Sequence, residues 1–140
     1  MKSTKLLLPF LLLFLFSCSK ENNLEDIFIT SKDYYWQFST TCQDDIGCGS
    51  VNFKFSEDGY SHRYDFSIKE GYTLNEGLQG SDISVEPEKW YIKKDSTLSW
   101  GGFKYKIEHI DRTVIVLHYL DPRDKKTECW IRLLKVVGEK

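Results

Sequence analysis

Along most of this chain apolar and polar residues alternate one for one, the period of a strand with one buried face. Tyr34, Trp36 and Phe38 alternate with Tyr35, Gln37 and Ser39, and Val51, Phe53 and Phe55 with Asn52, Lys54 and Ser56. The clearest run sets Tyr60, His62, Tyr64, Phe66 and Ile68 against Ser61, Arg63, Asp65, Ser67 and Lys69, and its aromatic side is the expected inner face. Ser56-Glu57-Asp58-Gly59 is a tight connection in which Gly59 is free to take positive φ. Thr40–Ser50 is a loop by its Asp, Gly and Cys content.

Beyond Gly71 the pattern weakens and then returns. Tyr72 with Leu74 and Ile83 with Val85 read as two short strands around Asn75–Asp82, and Pro87 restricts its segment to a sheet edge. Trp90 and Ile92 lead to a turn at Lys94-Asp95-Ser96, and the chain comes back through Leu98 and Trp100. Gly101-Gly102 then separates these from Phe103, Tyr105 and Ile107. Asp111-Arg112 turns into Thr113–Leu120, residues 121–126 form a solvated loop, and Glu128–Val137 is the last strand. The three-residue step from Ile107 to Ile110 has the form of a bulge at Ile110. With it Ile115, Leu117 and Tyr119 point inward; without it Val116, His118 and Leu120 do. The bulged register is the one expected.

Aromatic residues make up 15% of the chain against 3 prolines, which together with the alternation favours β structure over a helical bundle. The expected fold class is all-β: a small antiparallel up-and-down β-barrel of about eight strands, or a closely related sandwich, because closure removes exposed edges. Residues 33–138 are enough for one such domain with one core. The net charge of -2 argues against nucleic acid as a partner, since that footprint needs a basic stripe.

The start of the chain obeys a different rule. Lys2 and Lys5 precede Leu6–Phe16, which is apolar throughout and broken only by Pro9. The run is too short to span a bilayer, which takes about 20 apolar residues, and it suits the hydrophobic region of a secretory signal. Leu15-Phe16-Ser17-Cys18 at its end resembles the lipobox of bacterial lipoproteins. That resemblance implies a signal peptide over residues 1–17, cleavage before Cys18, a diacylglycerol thioether on the Cys18 sulfur and an acyl chain, such as palmitate, on the new amino group. Each buried CH₂ contributes about 0.8 kcal/mol, so several chains make a durable membrane anchor. Residues 18–32 are then the lipidated N-terminus and tether. Lys20-Glu21 resembles the surface-export signals of Bacteroidota lipoproteins, and the lack of Asp at position 19 removes the usual inner-membrane retention cue. An outer-membrane location follows, with its periplasmic or surface face open. Within the tether, Leu24–Ile29 reads as a short helix or turn that packs Ile27 or Phe28 against the domain.

Trp36, the Phe53-Lys54-Phe55-Ser56-Glu57-Asp58-Gly59 hairpin, the series Trp90, Leu98, Tyr105, Ile107 and Leu117, and Trp130-Ile131-Arg132 together resemble the lipocalin-like lipoproteins of Bacteroidota over nearly all of residues 33–137. The resemblance implies a calyx that holds a small apolar molecule, and no catalysis. The candidate ligand cavity is lined by Tyr60, His62, Tyr64 and Phe66 from one strand, with Trp90, Phe103, Tyr105, Ile107, Ile115 and Leu117 from the others. The same inward set also reads as a filled core, since small barrels often have no spare volume.

Candidate chemistry beyond Cys18 is sparse. Cys42 and Cys48 share one loop and form the disulfide candidate for an oxidising compartment; the rival pairing joins one of them to Cys129. The spacing of the cysteines and of His62, His109 and His118 matches no paired metal-ligand pattern, so no metal or cofactor is expected. The histidines stand singly, without a local nucleophile motif, and Asp44-Asp45, Glu57-Asp58 and Glu86/Glu88 fall in loops where solvation is the default. No catalytic residue and no enzyme activity is expected. Two functions remain: a non-enzymatic, membrane-anchored lipoprotein with a ligand-binding barrel, and a protein-binding envelope lipoprotein, such as an inhibitor or immunity protein, presenting the acidic Thr40–Ser50 loop.

Overall fold

The alternating segments become strands β1 (Tyr34–Thr40), β2 (Val51–Phe55), β3 (Tyr60–Ser67), β4 (Gly71–Leu74), β5 (Gly77–Leu78), β6 (Ser84–Val85), β7 (Glu88–Ile92), β8 (Thr97–Trp100), β9 (Phe103–Ile110), β10 (Val114–Leu120) and β11 (Glu128–Val137). A short helix, α1 (Leu24–Phe28), precedes them. The structure is a computed structural model that describes residues 23–42, 51–78 and 84–138. The expected signal peptide, Cys18, Asp44-Asp45, Cys48 and Ile83 lie outside the described residues. No helix among the described residues is long and apolar enough to cross a membrane.

Nine strands form one antiparallel sheet in the order β2-β1-β11-β10-β9-β8-β7-β3-β4, and a further β2–β3 pairing closes it into a ring. The strand β3 is shared. Its first residues, Tyr60 and Ser61, pair with Lys89 and Glu88 of β7, whereas Tyr64–Ser67 pair with β4, which therefore branches from the ring. Strands β5 and β6 make a separate two-stranded ladder. Joining last strand to first through β1–β11 leaves no long flat edge in the ring, the reason closure suits so many short strands.

Register decides which residues fill the ring. On β10, Ile115 pairs with Ile110, Val116 with His109 and Leu117 with Ile107, so Glu108 is the extra residue of a bulge. Ile115 and Leu117 are fully buried, as the bulged register requires. The β2–β3 hairpin reverses another expectation. The Ser56 amide bonds the Tyr60 carbonyl and the Gly59 amide bonds the Ser56 carbonyl, with Gly59 at φ 82, so the loop is the three residues Glu57, Asp58 and Gly59. Phe55 consequently faces Ser61, and Phe53 faces Arg63. A one-residue change in the loop exchanges the faces of the whole strand. Tyr60, His62, Tyr64 and Phe66 are thus on the outer face, and Ile68, beyond the strand end, is 98% exposed.

Those outer aromatics form a satellite cluster. Tyr35 stacks on Tyr72 at 3.9 Å between centroids and meets Tyr64 edge-on at 5.1 Å, while Phe66 packs on Tyr72 at 4.9 Å. The Lys54 ammonium stands 4.2 Å over the Tyr35 ring and donates to the Lys32 carbonyl.

Inside, the core is Phe28, Trp36, Phe55, Trp90, Leu98, Trp100, Ile115, Leu117, Ile131 and Leu133. Helix α1 closes one end of the ring. Its Asn23 cap accepts from the Glu25 amide, but a helix this short is not stable by itself. It is held by Phe28, which is fully buried, stacks on Trp90 at 5.7 Å and meets Phe55 at 5.1 Å. Three inner indoles satisfy their N–H groups. Trp36 donates to the Phe28 carbonyl at 2.8 Å, Trp90 to the Ser56 carbonyl at 3.2 Å and Trp100 to the Ser61 hydroxyl at 2.7 Å.

Candidate functional site

Strand direction places the β8–β9 turn at Gly101-Gly102 and the β10–β11 connection over 121–127 at the end of the ring opposite α1. At that end inner-face side chains are only half buried. Phe38, Phe53, Tyr105 and Tyr119 are partly exposed, and Phe103 is 54% exposed. Their rings nonetheless interlock. Phe53 meets Trp100 edge-on at 4.8 Å, Trp100 lies 6.0 Å from Tyr105, and Tyr105 meets Tyr119 at 5.3 Å. Trp100 is the buried floor and the two tyrosines climb from it toward the rim. The Tyr119 hydroxyl reaches the Thr40 hydroxyl at 3.5 Å.

Polar groups join these rings from β3 and β7. Glu88 opposes Ser61 and therefore faces inward. A Cβ added to Gly101, whose φ is +55, would lie 3.0 Å from the Glu88 carboxyl, so the turn is shaped around that side chain. Burial pushes the Glu88 carboxyl above its ordinary pKa, with the Arg63 charge acting in the opposite direction. Tyr105 is pushed up to about 12 by burial first, then by Tyr119 and Glu88. Among the described residues the Arg63 Nε is buried without a hydrogen-bond partner, with the Asp65 carboxylate 3.6 Å away. Asn75 donates its side-chain amide to Asp65 and its backbone N–H to the Arg63 carbonyl at 2.8 Å. The mouth thus combines an aromatic floor with a small set of charged groups at its exposed rim, the composition of a site for a molecule with an apolar body and a polar end.

The expected cavity residues divide. Trp90, Ile115 and Leu117 are inward and buried, Tyr105 and Ile107 are inward and partly buried, and Phe103 stands at the rim. Tyr60, His62, Tyr64 and Phe66 do not belong to the interior, for the register reason given above. Their places are taken by Ser61 and Arg63. Phe38, Phe53, Arg63, Glu88 and Tyr119 were not in the expected set. Tyr119 follows from the same alternation as Ile115 and Leu117; Arg63 and Glu88 carry no apolar signal, and only the hairpin register reveals them.

At the same end Cys42 is bonded to Cys129, with Cα atoms 5.4 Å apart and a sequence separation of 87. This corrects the expected Cys42–Cys48 pair. Thr40 pairs with Ile131, so two residues further along the antiparallel ladder bring position 42 opposite position 129. The Asp121 carboxylate completes a trio with the two sulfurs within 4.8 Å, but both sulfurs are committed to the disulfide. Asp121 itself receives Arg123 at 2.6 Å, which holds its carboxyl below the usual range.

The histidines face separate neighbours and not one another. His62 Nδ1 is 2.6 Å from Glu76, His109 Nε2 is 2.8 Å from Asp111, and His118 lies 4.7 Å from the Trp130 ring with Glu128 at 3.8 Å. No family model matches the chain, and no curated protein or solved structure matches it either.

Proposed function

We propose that this chain is a non-enzymatic envelope lipoprotein, anchored to the outer membrane through Cys18, whose closed sheet is a lipocalin-like barrel that takes a small apolar or amphipathic molecule at its mouth. The observation that carries the reading is the graded interior. The end beneath α1 is filled by Phe28, Trp36, Phe55 and Trp90, whereas the opposite end leaves Phe53, Tyr105 and Tyr119 only partly buried beside Arg63 and Glu88. A shallow aromatic cup of this kind favours a ligand seated at the rim over one swallowed whole.

Native mass spectrometry of the delipidated domain, with extraction of copurified lipids, tests the ligand. A bound species lost on Tyr105→Ala or Tyr119→Ala is expected; a domain free of bound species after isolation from envelope extract overturns the reading. The anchor is tested by Cys18→Ala, which should move the protein from the membrane fraction to the soluble one.

A protein partner is the second reading. It is favoured by a groove of about 400 Å³ on the outer face, lined by Ser39, Val116, Trp130 and Arg132, in which Trp130 is 39% exposed. A stoichiometric partner released by Trp130→Ala, with the mouth variants still binding it, would favour this reading.

A further inference from the structure

We infer that the α1 end of the ring rests against the bilayer and holds the mouth away from it, so that whatever the mouth takes arrives from the aqueous side. The inference rests on the lipidated Cys18 of the proposed function and adds an orientation and a contact surface to it. Asn23 begins α1 and lies beside the β7–β8 turn, at the end opposite Gly101-Gly102 and residues 121–127. Five residues of chain lead from Cys18 to Asn23, and at about 3.3–3.6 Å per residue even a fully drawn-out tether spans no more than about 18 Å. The ten residues of β11 run about 33 Å along the strand, and a tilt of about 40° makes that about 25 Å from rim to rim. Setting the mouth on the membrane would lift Asn23 about 25 Å above it. The tether is too short.

The surface at the α1 end fits that contact. A groove of about 730 Å³ there is lined by Leu24, Ile92, Lys93 and Lys94, among others. Tyr34 and Val137, paired across β1 and β11 at the same rim, are 40% and 59% exposed. Aliphatic and tyrosine side chains beside lysines with long apolar stems suit the headgroup layer of a bilayer. Glu25, Asp26 and Asp95 share this rim, so it is not a basic patch. The tether, and not surface charge, sets the orientation, and the contact is insensitive to salt.

The experiment uses the full lipidated chain in phosphatidylethanolamine–phosphatidylglycerol vesicles that carry an acceptor-labelled lipid. A fluorescent amino acid is placed at Lys94 or, separately, at Lys126 in the mouth connection. Energy transfer to the lipid is expected to be several-fold stronger from position 94 and unchanged by added salt. Inserting about twenty Gly/Ser residues after Asn22 gives the tether a root-mean-square length of about 25–30 Å, enough to span the rim-to-rim height without being drawn out, and the difference between the two positions should then narrow. Equal or stronger transfer from position 126 in the original chain overturns the orientation while leaving the anchor standing. A chain that does not float with the vesicles overturns the anchored reading and the orientation with it.

Discussion

The Trp36 indole donates to the carbonyl of Phe28, eight residues earlier, across a buried 2.8 Å. This bond ties the first strand to the helix that stops one end of the ring, and both side chains are fully buried. Phe28→Ala should cost about 3–5 kcal/mol in urea unfolding, since a Phe is removed from among Phe55 and Trp90. Trp36→Phe keeps an aromatic body but strands the Phe28 carbonyl, for an expected cost of about 1–3 kcal/mol from the lost bond. A Phe28→Ala loss below about 1 kcal/mol would mean that the helix is not part of the core.

The Cys42–Cys129 bond closes a long loop, and loop length sets its effect in the chain-entropy description. For the 87-residue separation the stabilisation is about 4–5 kcal/mol. Reduction should therefore lower the urea midpoint markedly. Proteolysis without reductant should release one linked peptide pair containing Cys42 and Cys129, and recovery of a Cys42–Cys48 pair instead would contradict the observed bond.

Two groups in the mouth set opposite ends of a pH profile. The folded chain holds the Tyr105 proton more tightly than the unfolded chain does, so stability present below pH 10 is lost as pH rises through about 12. Tyr105→Phe should flatten that alkaline limb, and in spectrophotometric titration it should remove the latest part of a tyrosine ionisation that Tyr35 and Tyr64 also delay. Glu88 is also raised, chiefly by burial, so it too contributes stability at low pH that fades as pH climbs above its ordinary 4.5. Glu88→Gln should flatten stability across the mildly acidic range. A profile identical to wild type would show that neither group is desolvated as described.

The hairpin register has its own test in two adjacent residues. Ser61 is 2% exposed and takes the Trp100 N–H at 2.7 Å, so Ser61→Ala removes one oxygen yet leaves a buried donor unpaired, at about 1–3 kcal/mol. Tyr60 is a far larger side chain on the outer face, and Tyr60→Ala should cost about 1 kcal/mol or less. Thermal unfolding of the two variants should rank them against their size. The reverse ranking would return Tyr60 to the interior.

What the amino-acid pattern reveals here depends on how different the two faces of a strand are. On β10 the contrast is plain, and the step from Ile107 to Ile110 announces the bulge that turns Ile115 and Leu117 inward. On β3 both faces are occupied: the outer one carries Tyr64 and Phe66 for the cluster with Tyr35 and Tyr72, and the inner one carries Ser61 and Arg63. Hydrophobicity then points the wrong way, and a single residue in the Ser56–Gly59 turn decides. The same error hid the polar half of the mouth. The choice between the two disulfide pairings was open for a different reason, because Cys42 and Cys129 meet only once β1 lies beside β11, a neighbourhood that spacing along the chain does not show.

The bond from Cys42 to Cys129 makes a covalent circle of everything between them, from the second strand to the start of the last. A protease that cuts one of the turns inside that circle leaves two pieces still joined, each strand beside its old neighbours. Where such cuts accumulate, the two halves of the nicked protein would stay together with the mouth assembled, and only reduction would let them part.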